Sequence, residues 1–164
     1  MNEAYSEWLV KRKPPVYAIA VKAVMIVLCI FSVFLALTTV LGVIALLVVG
    51  GISYFVFQNM NLEYEYLYVN GQLSIDKIMG RSRRKQVWEG TMETIQIVAP
   101  SDSYVLKDCE TSDMKVVDYS SGQAGAKTYA LINKSGGNTT KVIFEPNDRM
   151  LHCMKQVSPR KIVQ

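Results

Sequence analysis

The sequence is poor in the residues that most chemistry needs. Its 164 residues include one histidine, His152, and three cysteines, Cys29, Cys109 and Cys153. No Cys-x-x-Cys or other metal-ligand spacing occurs, which argues against a zinc site or a thioredoxin-like motif. An odd, sparse set of cysteines fits a reducing compartment better than a disulfide framework. A phosphate-binding loop, a dinucleotide glycine fingerprint, a G-x-S-x-G elbow and an H-E-x-x-H helix are all missing. His152 stands beside Cys153, but neighbours on a helix do not share a face, and a nucleophile–base pair needs an orienting third group. Glu63 and Glu65 are spaced like a strand's solvated face rather than an acid–base pair. The expectation is a protein that is not an enzyme, with no cofactor, no metal and no evident small-molecule substrate.

Charge is the second absence. From Ala23 to Phe57 there is no charged side chain. The apolar stretch Val16–Phe57 has 42 residues, far more than the roughly 7–15 of a secretory signal core. As one straight helix it would be about 60 Å long, twice the roughly 30 Å of a bilayer's hydrocarbon. Two spans fit, at 16–37 and 40–57, with the break near Thr38-Thr39 and Gly42 just beyond it. Threonine hydroxyls can satisfy backbone freed at such a turn. A single tilted span with an external domain is the competing arrangement, and would open Cys109 and Cys153 to oxidation. Ser32 and Ala36 on the first span, and Gly42, Ala45, Gly50 and Gly51 on the second, read as close packing of one span on the other. No ionisable group lies mid-span, so an ion pathway is not expected and a transporter or channel subunit is a weak third reading.

The flanks set the orientation. Lys11-Arg12-Lys13 precedes the first span, which by the positive-inside rule makes the N-terminus cytoplasmic, and a hairpin returns the C-terminus to the same side. Lys22 lies early in the first span and can snorkel to the interface. Segment 1–15 has Met1, Tyr5, Trp8 and Leu9 at helical spacing, which fits a short interfacial helix, or else a frayed terminus. Trp8, Lys11, Arg12, Lys13 and Lys22 are the expected membrane-interface anchors, and the bilayer itself is the first expected partner.

Residues 59–164 read as a soluble domain. They carry 14 basic against 12 acidic side chains, too near balance for a dedicated nucleic-acid binder. Leu62–Val69 and Gln72–Met79 alternate on either side of Asn70-Gly71, a strong hairpin signal. Short strands follow at 86–89, 94–98 and 115–119, and a second hairpin joins 127–133 to 139–145 across Ser135-Gly136-Gly137-Asn138. Residues 99–114 read as irregular, with room for a helical turn. After Pro146 the period changes: Asn147 is a good N-cap, and Met150, Leu151, Met154 and Val157 form one apolar helical face over 147–157.

About seven strands closed by one C-terminal helix is the order of elements of pleckstrin-homology-like (PH-like) domains, a strongly bent antiparallel sandwich. The stretch from Leu62-Glu63-Tyr64-Glu65-Tyr66 through Asp76-Lys77-Ile78 to Arg81-Ser82-Arg83-Arg84-Lys85 is similar to a family of small bacterial two-span membrane proteins with a PH-like C-terminal domain. A generic antiparallel sheet with a packed helix is the alternative fold. The likeness is structural and implies no catalytic role. The basic run Arg81, Arg83, Arg84 and Lys85 is the candidate anion- or lipid-binding site, since each cation near an anionic leaflet is worth about 1 kcal/mol. The functional expectation is a module held at the cytoplasmic face of the cell membrane, presenting its β domain to a protein partner or to a second copy of itself. A lipid-surface sensor built on 81–85 is the alternative.

Overall fold

The computed structural model describes residues 4–80 and 83–163, apart from the side chain of Asn59. Its described residues divide into two compact units, one within residues 4–12, 63–78 and 84–163, the other within residues 13–62 with 79, 80 and 83.

The second unit is the apolar hairpin. Helix α1 (Tyr17–Thr38) and helix α2 (Val40–Met60) are separated by Thr39 alone. Both are long and apolar enough to cross a membrane. The reversal is closed by the residues expected for it. The Thr39 N–H and both threonine hydroxyls donate to Leu35 O, at 2.9, 3.0 and 3.2 Å. The Gly42 N–H donates to Thr39 Oγ1 at 3.2 Å, capping α2. A Cβ on Gly42 would sit 2.2 Å from Leu35 C and O, so only glycine lets the helices meet this closely. The seam repeats at three- and four-residue steps: Ala18, Met25, Cys29, Ser32 and Ala36 on α1, and Gly42, Ala45, Val49 and Ser53 on α2 are shielded from the surface. Within it Cys29 Sγ and Ser53 Oγ are 3.3 Å apart. Gly50 and Gly51, expected in this seam, have nothing within 4 Å of an added Cβ. They follow Val49 around the helix and fall on its open side.

The first unit is the β domain. Strand β1 (Tyr5–Lys11) pairs antiparallel with β2 (Leu62–Val69), which continues through β3 (Gln72–Met79) to β4 (Arg83–Thr91), giving sheet A in the order β1-β2-β3-β4. Sheet B contains β5 (Ile95–Pro100), β6 (Lys115–Asp118), β7 (Tyr129–Ser135) and β8 (Asn138–Phe144), in the order β5-β7-β8-β6. Helix α3 (Asp148–Val157) follows. The β2–β3 turn has φ of 47° at Asn70 and 95° at Gly71. Two positive φ values suit the right-handed twist of the flanking strands, and asparagine followed by glycine tolerates them best.

Alternation in β2 sends Tyr64, Tyr66 and Tyr68 into the core, where Tyr66 meets Phe144 edge-on with ring centroids 5.7 Å apart. Leu73, Ile75, Ile95, Val98, Leu131, Met150 and Met154 fill the rest. Asn147 caps α3 by accepting from the Met150 N–H at 2.8 Å. A second cluster, Ala99, Leu106, Ala130 and Ile132, lies under a 3-10 helix at Tyr104–Cys109 with Ile97, Met114 and Val163 packed around it. Of residues 99–114, the first two end β5 and the rest form a cover for sheet B.

Two strand pairings also differ from the sequence reading. Tyr5–Lys11 is a strand, not an interfacial helix: its seven residues pair with Glu63–Val69 in unbroken register, from Tyr5↔Val69 to Lys11↔Glu63. It is the eighth strand, added to the seven expected, and it makes the hairpin an insertion between two neighbouring strands of one sheet. The structure also pairs β6 parallel to β8, a crossover within an otherwise antiparallel sheet.

Candidate functional site

The basic run is split by its surroundings. Arg84 is drawn to the carboxylates of sheet A: its Nη2 lies 2.6 Å from Glu65 Oε2 and 2.8 Å from Oε1, and its Nε lies 3.9 Å from Asp76. Glu65 is 6% exposed. Burial raises its carboxyl pKa above the ordinary range, Arg84 opposes that rise, and the neighbouring Glu7 and Asp76 add to it. In the hairpin unit, the guanidinium of Arg83 lies 5.8 Å from the centre of the Phe55 ring. In the same unit the Gly80 N–H donates to Asn61 O at 3.0 Å. Lys85 is exposed. Arg81 lies outside the described residues. The described cations of 83–85 thus divide between a carboxylate pair, an aromatic ring and solvent, and do not converge on one pocket.

The expected membrane anchors also separate. Trp8 is 42% exposed and stands opposite Tyr66 across the β1–β2 ladder. Lys11 and Lys13 are exposed, and Lys22 is half-buried on α1. Arg12 is tied into the β domain instead: its Nη1 donates to Tyr64 OH at 2.7 Å and to Asp118 O at 3.2 Å. One guanidinium therefore links the end of β1 to β2 and to the end of β6.

Other candidates take structural places. The Tyr66 hydroxyl donates to Tyr119 O at 2.6 Å and accepts from the Glu145 N–H at 3.3 Å. Desolvation pushes its pKa far up, and that of Tyr68 up to about 12. His152 is exposed and its ring lies 3.2 Å from the Gln156 side-chain amide. The cysteines are free.

One arrangement was not anticipated from the sequence. Lys161 points its ammonium into a ring of main-chain carbonyls, Met92 O at 2.5 Å, Ile95 O at 2.8 Å and Glu93 O at 3.4 Å. The residues beside it form a parallel bridge to β5, Val98↔Ile162. No motif announces such a site, because its acceptors are backbone groups of a distant turn. The only local hint is the pair of aliphatic residues after a lysine.

With the two four-stranded sheets, the closing helix and the apolar hairpin in place, the comparison with known families is decisive. The family model described as "Bacterial PH-like domain (DUF6106)" matches residues 2–164. The chain belongs to that family. The match begins ahead of β1 and runs past α3, so the apolar hairpin lies within the family's extent rather than outside it. No curated protein and no solved structure matches the chain. The bacterial PH-like family accounts for the β domain, its match extends over the apolar hairpin, and it leaves the role of this PH-like domain to its own geometry.

Proposed function

We propose that the protein is a membrane-anchored, non-enzymatic interaction module that presents its PH-like domain to a protein partner at the cytoplasmic face. The observation that carries this reading is the Lys11↔Glu63 pairing on either side of the apolar hairpin. The chain leaves one strand for the hairpin and returns into the neighbouring strand of the same sheet. Two flanks joined in one ladder belong on one side of a membrane, which calls for an even number of crossings. The exposed cations Lys11, Lys13 and Lys85 then favour the cytoplasmic side. Lys11, Lys13 and Lys22, with Trp8, are the interface anchors in this reading, while Arg12 serves the β domain.

A protein partner is favoured over a lipid headgroup because Arg84 already has the Glu65 carboxylate and Arg83 already has the Phe55 ring. The lipid-surface reading keeps one support, since Arg83 belongs to the hairpin unit. Photo-cross-linking in native membranes tests the lead reading. A photoreactive residue is placed in turn at exposed positions of the β domain in the full chain. Adducts of one mass clustered on one surface are expected. Adducts at no position, with the protein inserted and folded, would defeat the partner reading. Adducts with lipid at Lys85 alone would put the lipid reading ahead.

A further inference from the structure

Strand β1 is an outer strand of sheet A, and its free edge can be read residue by residue. The Asn70 N–H donates to Ala4 O, so Ala4 and every second residue after it turn their main-chain groups toward β2. Tyr5, Glu7, Leu9 and Lys11 turn theirs outward. At the first of these the edge is covered, since Tyr5 O lies 3.8 Å from Cys153 Sγ on α3. From Glu7 to Lys11 no further strand pairs with β1 among the described residues. Such an edge is a template for another strand, and this one carries the exposed side chains of Trp8 and Leu9. By alternation Glu7, Leu9 and Lys11 share one face. Glu7 and Lys11 are exposed, and neither has an ion pair among the described residues. Glu7 accepts from the Tyr5 hydroxyl at 2.7 Å and adds its charge to the field that raises the Glu65 carboxyl pKa. A carboxylate so placed lacks a cation. Lys11 of the same chain cannot supply it, because four residues of strand span about 14 Å.

We infer that β1 is a self-pairing edge, whose partner is β1 of a second copy, antiparallel about a two-fold axis at Leu9. This deepens the partner reading above and rests on it. In an antiparallel ladder, residues with outward main-chain groups stand opposite one another. An axis at Leu9 therefore sets Glu7 against Lys11 of the second copy, repeats that pair by symmetry, and sets Leu9 against Leu9. Trp8 falls beside Val10 of the second copy. Moving the axis to Glu7 sets two carboxylates face to face, and an axis at Glu7 or at Trp8 needs the main-chain groups of Tyr5, where α3 already lies. Moving it to Val10 sets Lys11 against Leu9 and leaves Glu7 with no strand residue opposite. Charge and the position of α3 thus select the same register independently. The contact is isologous and closes on itself. A ladder this short is a weak contact, and copies held in one membrane need only a weak one. Lys11 serves both as a flanking cation of the hairpin and as half of the pairing charge.

The test uses the full chain in isolated membranes, with the native cysteines replaced. Opposed residues of a hydrogen-bonded pair have Cα atoms about 5.5 Å apart, a spacing that a disulfide accepts, so L9C should oxidise to a covalent dimer. Chains carrying E7C and K11C, expressed together, should form a mixed dimer, and neither should dimerise alone. On the L9C background, E7K or K11E should slow dimer formation by roughly tenfold, since each turns two attractive cross-strand pairs into repulsive ones. E7K with K11E should restore it. No L9C dimer from inserted, folded protein overturns the proposal, as does E7C or K85C dimerising alone as readily as L9C, which would be random collision. Failure of the double charge exchange to restore the dimer overturns the register. The two readings fail separately: no L9C dimer alongside photo-adducts clustered on another surface removes the self-pairing edge alone, whereas no adduct at any position removes the partner.

Discussion

Lys11 and Glu63 face each other across the β1–β2 ladder although the whole apolar hairpin lies between them in sequence. The Asn70 N–H donates to Ala4 O at 3.0 Å, which sets the phase of the ladder. Hydrogen-bonded pairs then alternate from Ala4, and Lys11–Glu63 is a non-hydrogen-bonded pair, the closer kind, with Cα atoms about 4.5 Å apart. That spacing suits a disulfide. In a chain whose native cysteines have been replaced, K11C with E63C should therefore oxidise to an intramolecular disulfide in isolated membranes. A faster-migrating band on a non-reducing gel, abolished by reductant, is the expected readout. Failure to oxidise would contradict both the β1–β2 pairing and the placement of the two flanks on one side.

The hairpin turn makes a sharp contrast between glycines. G42A drives a methyl group into the Leu35 main chain, where neither partner can yield easily, and should destabilise the hairpin by about 1–3 kcal/mol as overpacking does. G51A meets open space and should be neutral or slightly stabilising, since alanine is the better helix former. Unfolding in mixed micelles with increasing anionic detergent reads the difference. Equal midpoints for the two variants would mean the turn is not built around Gly42.

Features governed by neighbours in sequence were legible, and features governed by distant partners were not. Asn70-Gly71, the Asn147 cap and the Thr38-Thr39 break each act within four residues, so their patterns are visible locally. The alternation of Tyr64, Tyr66 and Tyr68 is likewise a property of one strand. Strand β1 hides because it is an edge strand with Trp8 and Leu9 exposed, and its apolar positions do not alternate cleanly. Its partner lies beyond the whole hairpin. The basic run misled for the same reason: four cations in five residues look like one site, and only the adjacency of β2, β3 and β4 reveals that Arg84 faces Glu65 and Asp76. Parallel pairing of β6 with β8 depends on a crossover that no local signal encodes.

Glu65 should make stability fall as pH rises. Burial raises its carboxyl pKa, so the folded state binds the proton more tightly than the unfolded state does. The associated stability is present below the ordinary glutamate range and is lost as pH rises through the folded value. Arg84 limits the loss without cancelling it. E65Q removes the titration, and should give a higher Tm than the wild type at neutral pH and the same Tm near about pH 4, where both side chains are neutral. A lower Tm for E65Q at neutral pH would show that the Arg84 pair outweighs the cost of burying the carboxylate.

Arg12 and Lys13 are adjacent cations that sequence treats alike and structure does not. Each removes one positive charge from the same flank when replaced by glutamine, so any effect on insertion orientation should be similar for R12Q and K13Q. Their effects on the β domain should differ. R12Q withdraws a guanidinium from Tyr64 OH and Asp118 O, and losing hydrogen bonds to a charged group at a partly buried site should cost about 1–3 kcal/mol. K13Q changes an exposed side chain and should stay within about 0.5 kcal/mol of the wild type. Denaturant unfolding in mild detergent, followed by the fluorescence of Trp8 and Trp88, separates them. Equal stabilities with equally disturbed orientation would return Arg12 to the role of a simple membrane-flanking charge. Unequal stabilities with equal orientation would establish that the hairpin's first flank is also the last link of the β domain.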